Sequence, residues 1–96
     1  MIFSVTNQPN PVVTETKFII KHDRPESIIN TTIDLFDLSG RKIWSYSGPT
    51  TDEINWNLSM SEGANIQPGV YIYKVSISTS NSDVYSKTNK MIIVRQ

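Results

Sequence analysis

Few residues of this 96-residue chain have the types and spacing that catalysis requires. His22 is the only histidine, so a Ser-His-Asp triad would depend on it. It stands at the end of an alternating segment just before Asp23, where a solvent-facing or capping role is expected. The chain has no cysteine, which excludes a thiolate nucleophile and a cysteine zinc site within it. We therefore expect no catalytic residue.

Pairs of carboxylates are the next candidates for hydrolysis or cation binding. Asp34 and Asp37 are an odd number of residues apart on one extended segment, so their side chains point to opposite faces. Two-carboxylate hydrolysis requires both groups at a defined separation. A calcium site of oxygen ligands remains an alternative, although the chain has no Asp-x-Asp-x-Asp-Gly run. Its candidate ligands are Asp23, Asp37, Asp52 and Glu62, but we expect neither a metal nor a cofactor.

The aromatic residues raise a different possibility, stacking against sugar rings. Trp44 and Tyr46 share one face of an extended segment by their spacing, and they are the best pair for an exposed platform. Trp56 alternates in phase with Ile54 and Leu58, which predicts a core position for it. An accessory carbohydrate-binding module is therefore one alternative function. A structural immunoglobulin-like module that polymerises through its sheet edges is another.

The elements that must position these residues are short alternating segments, which are typical of β-strands. About seven of them are separated by turn signals roughly every 8–12 residues, the pattern of an all-β sandwich. None has the period of a helix. The predicted strands span residues 3–6, 14–22, 28–38, 42–46, 53–58, 70–79 and 84–95. We predict one immunoglobulin-like antiparallel β-sandwich domain over residues 1–96.

Two turns are marked by the sequence and are expected to shape the scaffold. Gly40 is expected in the positive-φ conformation of a tight hairpin. Asp37, just before that hairpin, is expected to accept a hydrogen bond from the backbone two residues on. Arg41 lies across the turn, where it is exposed and could pair with Asp37. Pro68 and Gly69 suit the two central positions of a type II turn.

Charge and length exclude several classes of partner. Nine basic and nine acidic residues give a formal net charge of zero, without the basic excess that nucleic-acid binding needs. No apolar run approaches the about 20 residues that span a bilayer. The first residues before the predicted strands are too few for a signal peptide. These features argue against a nucleic-acid binder and against a membrane-spanning chain.

The carboxyl-terminal segment is the candidate recognition site. Its apolar residues fall on both faces, whereas a strand of an antiparallel sandwich normally has one polar, solvated face. Such a strand needs a second cover, which is either a loop of its own domain or another protein. We expect a partner to recognise it by edge pairing or through a groove for its outward side chains. The predicted recognition residues are Lys90, Met91, Ile92, Ile93, Val94, Arg95, Gln96 and Arg41. A doubly apolar strand also favours self-association, so a homodimer is an alternative state.

Four pieces of sequence follow one another in a defined order. They are Asn10-Pro11, the Asp-x-x-Gly-Arg hairpin within residues 33–43, the Pro-Gly-x-Tyr strand within residues 68–75, and the basic, aliphatic strand 90–95. In this combination the chain resembles the C-terminal domain that directs proteins through the type IX secretion system of Bacteroidetes. With residues 22–25 and the Trp56 segment, it is most similar to the version carried by the system's own gingipain-like sortase.

The resemblance implies a secretion signal that anchors its protein at the outer-membrane cell surface after passage through the periplasm. The implied partners are the translocon, other attachment-complex components and a shuttle barrel protein of the PorV type. A cysteine peptidase or sortase domain would precede this one in the full-length protein. In ordinary cargo the sortase removes this domain, whereas in the sortase it is retained, and no motif decides between the two states. The hairpin also resembles a domain of flagellar hook-capping proteins, but that family places Asp-Gly after its Trp, where Asn57-Leu58 stand here.

Overall fold

The computed structural model describes residues 3–22, 28–49, 53–57, 66–80 and 84–94, which form seven β-strands. The strands are β1 (Phe3–Gln8), β2 (Glu15–His22), β3 (Ile28–Phe36), β4 (Lys42–Gly48), β5 (Glu53–Asn57), β6 (Gly69–Thr79) and β7 (Val84–Ile93). No helix that could cross a membrane is found in this described part of the chain. The predicted all-β class is confirmed.

The strands form two antiparallel sheets. The smaller sheet has the order β1-β2-β5, and the larger has the order β4-β3-β6-β7. Because side chains alternate along a strand, each sheet turns every second residue inward. The alternation predicted for β6 is confirmed, since Tyr71, Tyr73, Val75 and Ile77 are all buried. Two sheets with a shared apolar interior confirm the predicted β-sandwich.

Aromatic rings join the two sheets at the centre of the core. Phe18 of β2 stacks on Trp44 of β4, with ring centroids 5.9 Å apart, and meets the edge of Tyr73 at 4.9 Å. Trp56 is 1% exposed, which confirms its predicted core position, and Leu58 lies outside the described residues. Such aromatic pairs add about 0.5–1.5 kcal/mol each beyond the burial of their area.

A buried polar cluster also crosses between the sheets. Tyr73 Oη donates to Asn7 Oδ1 at 3.2 Å, and Asn7 Nδ2 donates to Thr16 Oγ1 at 3.3 Å. Thr16 Oγ1 in turn donates to the Pro9 carbonyl at 2.9 Å. Burial, which disfavours the phenolate, raises the pKa of Tyr73 to about 12. The cluster satisfies polar groups that would otherwise be costly inside the core.

Some strand ends differ from the prediction. β1 continues to Gln8 rather than ending at Thr6, because its last residues still pair with β2. β3 ends at Phe36, where the hairpin begins. The type II turn predicted at Pro68 and Gly69 is wrong. Gly69 has φ 151°, and it opens β6 opposite Ile93, whereas a type II turn requires about +80° at that position.

Candidate functional site

The hairpin between β3 and β4 is held by the Asp37 carboxylate. Its Oδ1 accepts the backbone N–H groups of Ser39 at 3.0 Å and Arg41 at 2.9 Å. Gly40 has φ 92°, as predicted, and donates its N–H to the Asp37 carbonyl at 3.1 Å. The Ser39 hydroxyl, followed by the Arg41 N–H, lowers the pKa of Asp37. Asp37 therefore shapes the turn, as predicted, rather than offering a free carboxylate.

Arg41 projects from this hairpin into solvent. Its side chain is 74% exposed, and its Nε lies 3.5 Å from Asp37 Oδ2. The predicted pair with Asp37 is thus formed, but most of the guanidinium surface stays accessible. A partner could still form a hydrogen bond with it.

The final strand divides the predicted recognition residues into two sets. Met91 and Ile93 point into the core and are 0% and 1% exposed. Ile92 and Val94 point outward and are 41% and 43% exposed, and Lys90 is also exposed. Apolar residues do occupy both faces, as predicted. A partner can touch the outward set without opening the domain, whereas the inward set anchors the strand.

The chain itself covers the edge of the final strand at Ile92 and Val94. The segment Asn10–Val12, here called the strap, runs parallel to the end of β7. Val12 donates its N–H to the Ile92 carbonyl at 2.7 Å and accepts the Val94 N–H at 2.8 Å. Asn10 Oδ1 accepts the Ile92 N–H at 3.0 Å. Edge pairing by a partner is therefore not available at Ile92 and Val94, while recognition of their outward side chains stays a prediction.

Part of the predicted site lies outside the described residues. This applies to the recognition residues Arg95 and Gln96, to the candidate calcium ligands Asp23, Asp52 and Glu62, and to the side chain of His22. Within the residues that the structure describes, no group of three His, Cys, Asp or Glu side chains is placed to hold a metal ion. The calcium alternative therefore gains no support from the described part.

The aromatic platform proposed for sugar binding does not form at the predicted pair. Trp44 and Tyr46 lie opposite Leu35 and Ile33, which are fully buried, so both rings face the inside of the sandwich. Both are half-buried, and Trp44 stacks on Phe18. The expectation that Trp44 is an exposed contact is wrong. It is half-buried because β4 is an edge strand, not because it faces solvent.

A groove beside β1, β2 and β5 of the smaller sheet was not foreseen. It has a volume of about 480 Å³, and its lining includes Gln8, Lys17 and Asn55. These three residues are aligned across β1, β2 and β5. The sequence could not indicate the groove, because β5 is separated from β2 in the chain and their pairing is non-local.

The fold and the exposed side chains of the final strand together define a class of protein. It is a small antiparallel β-sandwich that presents the outward side chains of a terminal strand, and its described residues form no metal-ligating cluster. A family model described as a secretion system C-terminal sorting domain matches residues 8–94, and the chain belongs to this family. It is a secretion-signal domain of the type IX system rather than a catalytic one. Such a domain implies export to the cell surface and interaction with the secretion machinery.

Solved structures agree with this assignment. Dimeric latent PorU from Porphyromonas gingivalis is similar with a TM-score of 0.80 and 31% identity, over 99% of this chain and 9% of the PorU chain. CopC from Methylosinus trichosporium OB3b has a TM-score of 0.60 and 10% identity, over 100% of this chain and 92% of that one. A β-glucuronidase from Parabacteroides merdae has a TM-score of 0.55 and 7% identity, over 95% of this chain and 13% of that one. The last two show the fold alone. No curated protein sequence matches the chain.

Proposed function

We propose that this sorting domain is recognised through the outward side chains of its final strand by an outer-membrane shuttle protein of the PorV type. The observation that carries the proposal is the exposure of Ile92 and Val94, at 41% and 43%, on a strand whose edge the strap already covers. Exposed apolar groups gain most when a partner buries them. Lys90 beside them, and Arg41 on the hairpin, would add polar contacts.

We also propose that the domain belongs to a gingipain-like cysteine peptidase or sortase, which it anchors at the outer-membrane surface. The support is the 31% identity with PorU over 99% of this chain. Since the chain spans 9% of PorU, the activity of the parent needs its own test. The encoded sequence upstream of Phe3 provides that test. A gingipain-like catalytic domain there supports the proposal, and an adhesin or unrelated hydrolase contradicts it.

The signal function is tested by fusing residues 1–96 to the carboxyl end of a reporter in a bacterium that has a type IX system. The wild-type fusion should reach the cell surface. Ile92→Ser combined with Val94→Ser removes two apolar contacts, each expected to contribute about 1.5 kcal/mol. The double variant should therefore lose about 3 kcal/mol and bind its partner about a hundredfold more weakly. The measurement is the fraction of reporter that external protease can reach.

Val84→Ser is the matched control. Val84 is 63% exposed at the opposite end of the same strand, so this variant loses an exposed apolar group away from the proposed site. It should be displayed like the wild type, and thermal melting should show that all variants fold. Retention of the wild-type fusion inside the cell would refute the signal function. Equal display of the double variant and Val84→Ser would contradict recognition through the final strand.

A further inference from the structure

An apolar patch spreads over three strands on the outer face of the larger sheet. Phe36 of β3 lies opposite Ile72 of β6, and Val70 lies opposite Ile92 of β7. Val70 and Ile92 are 38% and 41% exposed, and the other two are half-buried. These four residues, here called the outer patch, alternate with the core residues of their strands and so face away from the interior. The patch joins the final strand to residues that are distant in the chain.

Three lysines and Asp34 border the outer patch. Lys42 and Lys90 stand at the two ends of one of its cross-strand rows, and Lys74 follows on the same face of β6. Lys42 Nζ is 3.4 Å from Asp34 Oδ1, whereas the other two lysines form no ion pair among the described residues. The whole chain has a formal net charge of zero, so this rim is a local excess of positive charge. A surface that complements it carries carboxylates.

The strap determines how a partner can approach this region. Because Asn10 and Val12 already bond to the backbone of Ile92 and Val94, an added strand cannot pair there. The outer face remains open, and it presents Ile92 together with Val70. A partner that contacts the final strand from this side therefore meets β6 and β3 as well.

We propose that the outer patch is a docking surface for a protein whose apolar face is edged by carboxylates. This rests on the proposed function and extends it, because it assigns recognition to Val70, Ile72 and Phe36 in addition to the final strand. The partner's apolar groups bury the patch, and its carboxylates pair with Lys74 and Lys90. A protein fits better than an anionic membrane, because a protein can place its carboxylates opposite Lys74 and Lys90 and away from Asp34, whereas lipid phosphates would cover the whole face.

The test uses the same reporter fusion with variants outside the final strand. Val70→Ser removes an exposed apolar group of the patch, and Lys74→Glu reverses a charge of its rim. Each should lower the surface-exposed fraction of the reporter by about fivefold or more. Val70→Ser loses an apolar contact within the interface, and Lys74→Glu places a like charge against the partner's carboxylates. Lys74→Gln should lose less than Lys74→Glu, because it removes an attraction without adding a repulsion.

Matched controls lie elsewhere on the molecule. Val84→Ser changes an exposed valine at the opposite end of β7, and Lys21→Glu reverses an exposed charge on β2 of the other sheet. Both should be exported like the wild type, and melting temperatures should show that every variant is folded. These controls show whether export depends on the outer patch or on any exposed valine or lysine.

The outcomes separate this inference from the proposed function. If Val70→Ser and Lys74→Glu match their controls while the Ile92 and Val94 double variant is retained, the docking surface is overturned and the signal function stands. If the wild-type fusion is not exported, the proposed function itself fails. Binding of the purified fusion to phosphatidylglycerol vesicles, lost in Lys74→Glu, would replace the protein partner with a membrane and also overturn the inference.

Discussion

Asn7 is a polar residue whose burial could not be predicted from the sequence. It lies beyond residue 6, where the first strand is predicted to end, yet it belongs to β1 and is 5% exposed inside the sandwich. Its amide is satisfied because Tyr73, 66 residues away, donates to Oδ1, and because Thr16 accepts from Nδ2. A buried amide is tolerated only with such partners. The cluster therefore adds to the stability of the core through residues that are distant in the chain.

Tyr73→Phe should lower the free energy of unfolding by about 1–2 kcal/mol, because Asn7 Oδ1 loses its donor. The pKa of Tyr73 is raised from 10.0 to about 12 in the folded state. In the unfolded chain the phenol ionises first, so its contribution to stability is complete below pH 10 and is lost as the pH rises toward 12. Urea denaturation at pH 7 and at pH 11 measures both effects.

The matched comparison for Tyr73→Phe is Tyr46→Phe, since the Tyr46 hydroxyl is exposed and donates to the Pro49 carbonyl at 3.4 Å. Tyr46→Phe should keep the alkaline loss of stability, whereas Tyr73→Phe should reduce it. An equal alkaline loss in both variants would show that Tyr73 is not the group responsible.

Unlike the burial of Asn7, the turn formed by Asp37 and Gly40 was predicted correctly, because its interactions are local. All hydrogen bonds of the Asp37 carboxylate reach residues at most four positions away, so the local sequence contains the whole interaction. Gly40 needs a positive φ that only its own turn dictates. Gly69 was misjudged because its conformation depends on pairing with Ile93 of a distant strand.

At the level of elements, the strap resolves the question that the two-sided final strand raised. The sequence indicated that a second cover was needed, and the structure divides that cover into two parts. Asn10–Val12 takes the edge, while the outward face with Ile92 stays open. The strap could not be foreseen, because Asn10 and Ile92 are 82 residues apart in the chain. Alternation revealed the strands, but their neighbours are set by non-local pairing.

Asn10→Ala should test whether the strap is structural or part of the recognition site. It removes the acceptor of the Ile92 N–H, so the free energy of unfolding should fall by about 1 kcal/mol. Hydrogen exchange at the Ile92 and Val94 amides should become faster. Export of the reporter fusion should persist, since the outer patch is unchanged.

Asn30→Ala serves as the comparison for the strap variant, because Asn30 makes an exposed hydrogen bond to Ser47 at 3.4 Å. It should leave exchange at Ile92 unchanged. If Asn10→Ala folds but loses export while Asn30→Ala does not, the strap itself contacts the secretion machinery, and recognition is not confined to the outer face.

In the whole molecule, the fold brings residues from distant parts of the chain together on one exposed face. The outer patch takes residues from β3, β6 and β7, so it exists only when the larger sheet is assembled. Phe18, Trp44 and Tyr73 hold that sheet against the smaller one. The domain therefore works as a folded surface rather than as a linear tag, which neither its length nor its composition could reveal. Family membership indicates its role, and the fold indicates which face can perform it.

The doubly apolar final strand raises the alternative of a homodimer. PorU is dimeric in its crystal structure, but this chain covers 9% of it. Two copies that meet through the outer patch would bring Lys74 and Lys90 of one, which form no ion pair among the described residues, close to those of the other. Pairing of their final residues edge to edge is prevented by the strap. We therefore expect the isolated domain to be a monomer.

Sedimentation velocity across a concentration series checks this expectation at low and high salt. Lys74→Glu should associate more strongly than the wild type at low salt, because each copy then offers a carboxylate to Lys90 of the other, and salt should weaken that association. A wild-type dimer that persists in both Val70→Ser and Lys74→Glu would place self-association on a different surface. A wild-type dimer that Val70→Ser abolishes would show that the outer patch binds a second copy despite its like charges, and that apolar burial outweighs their repulsion.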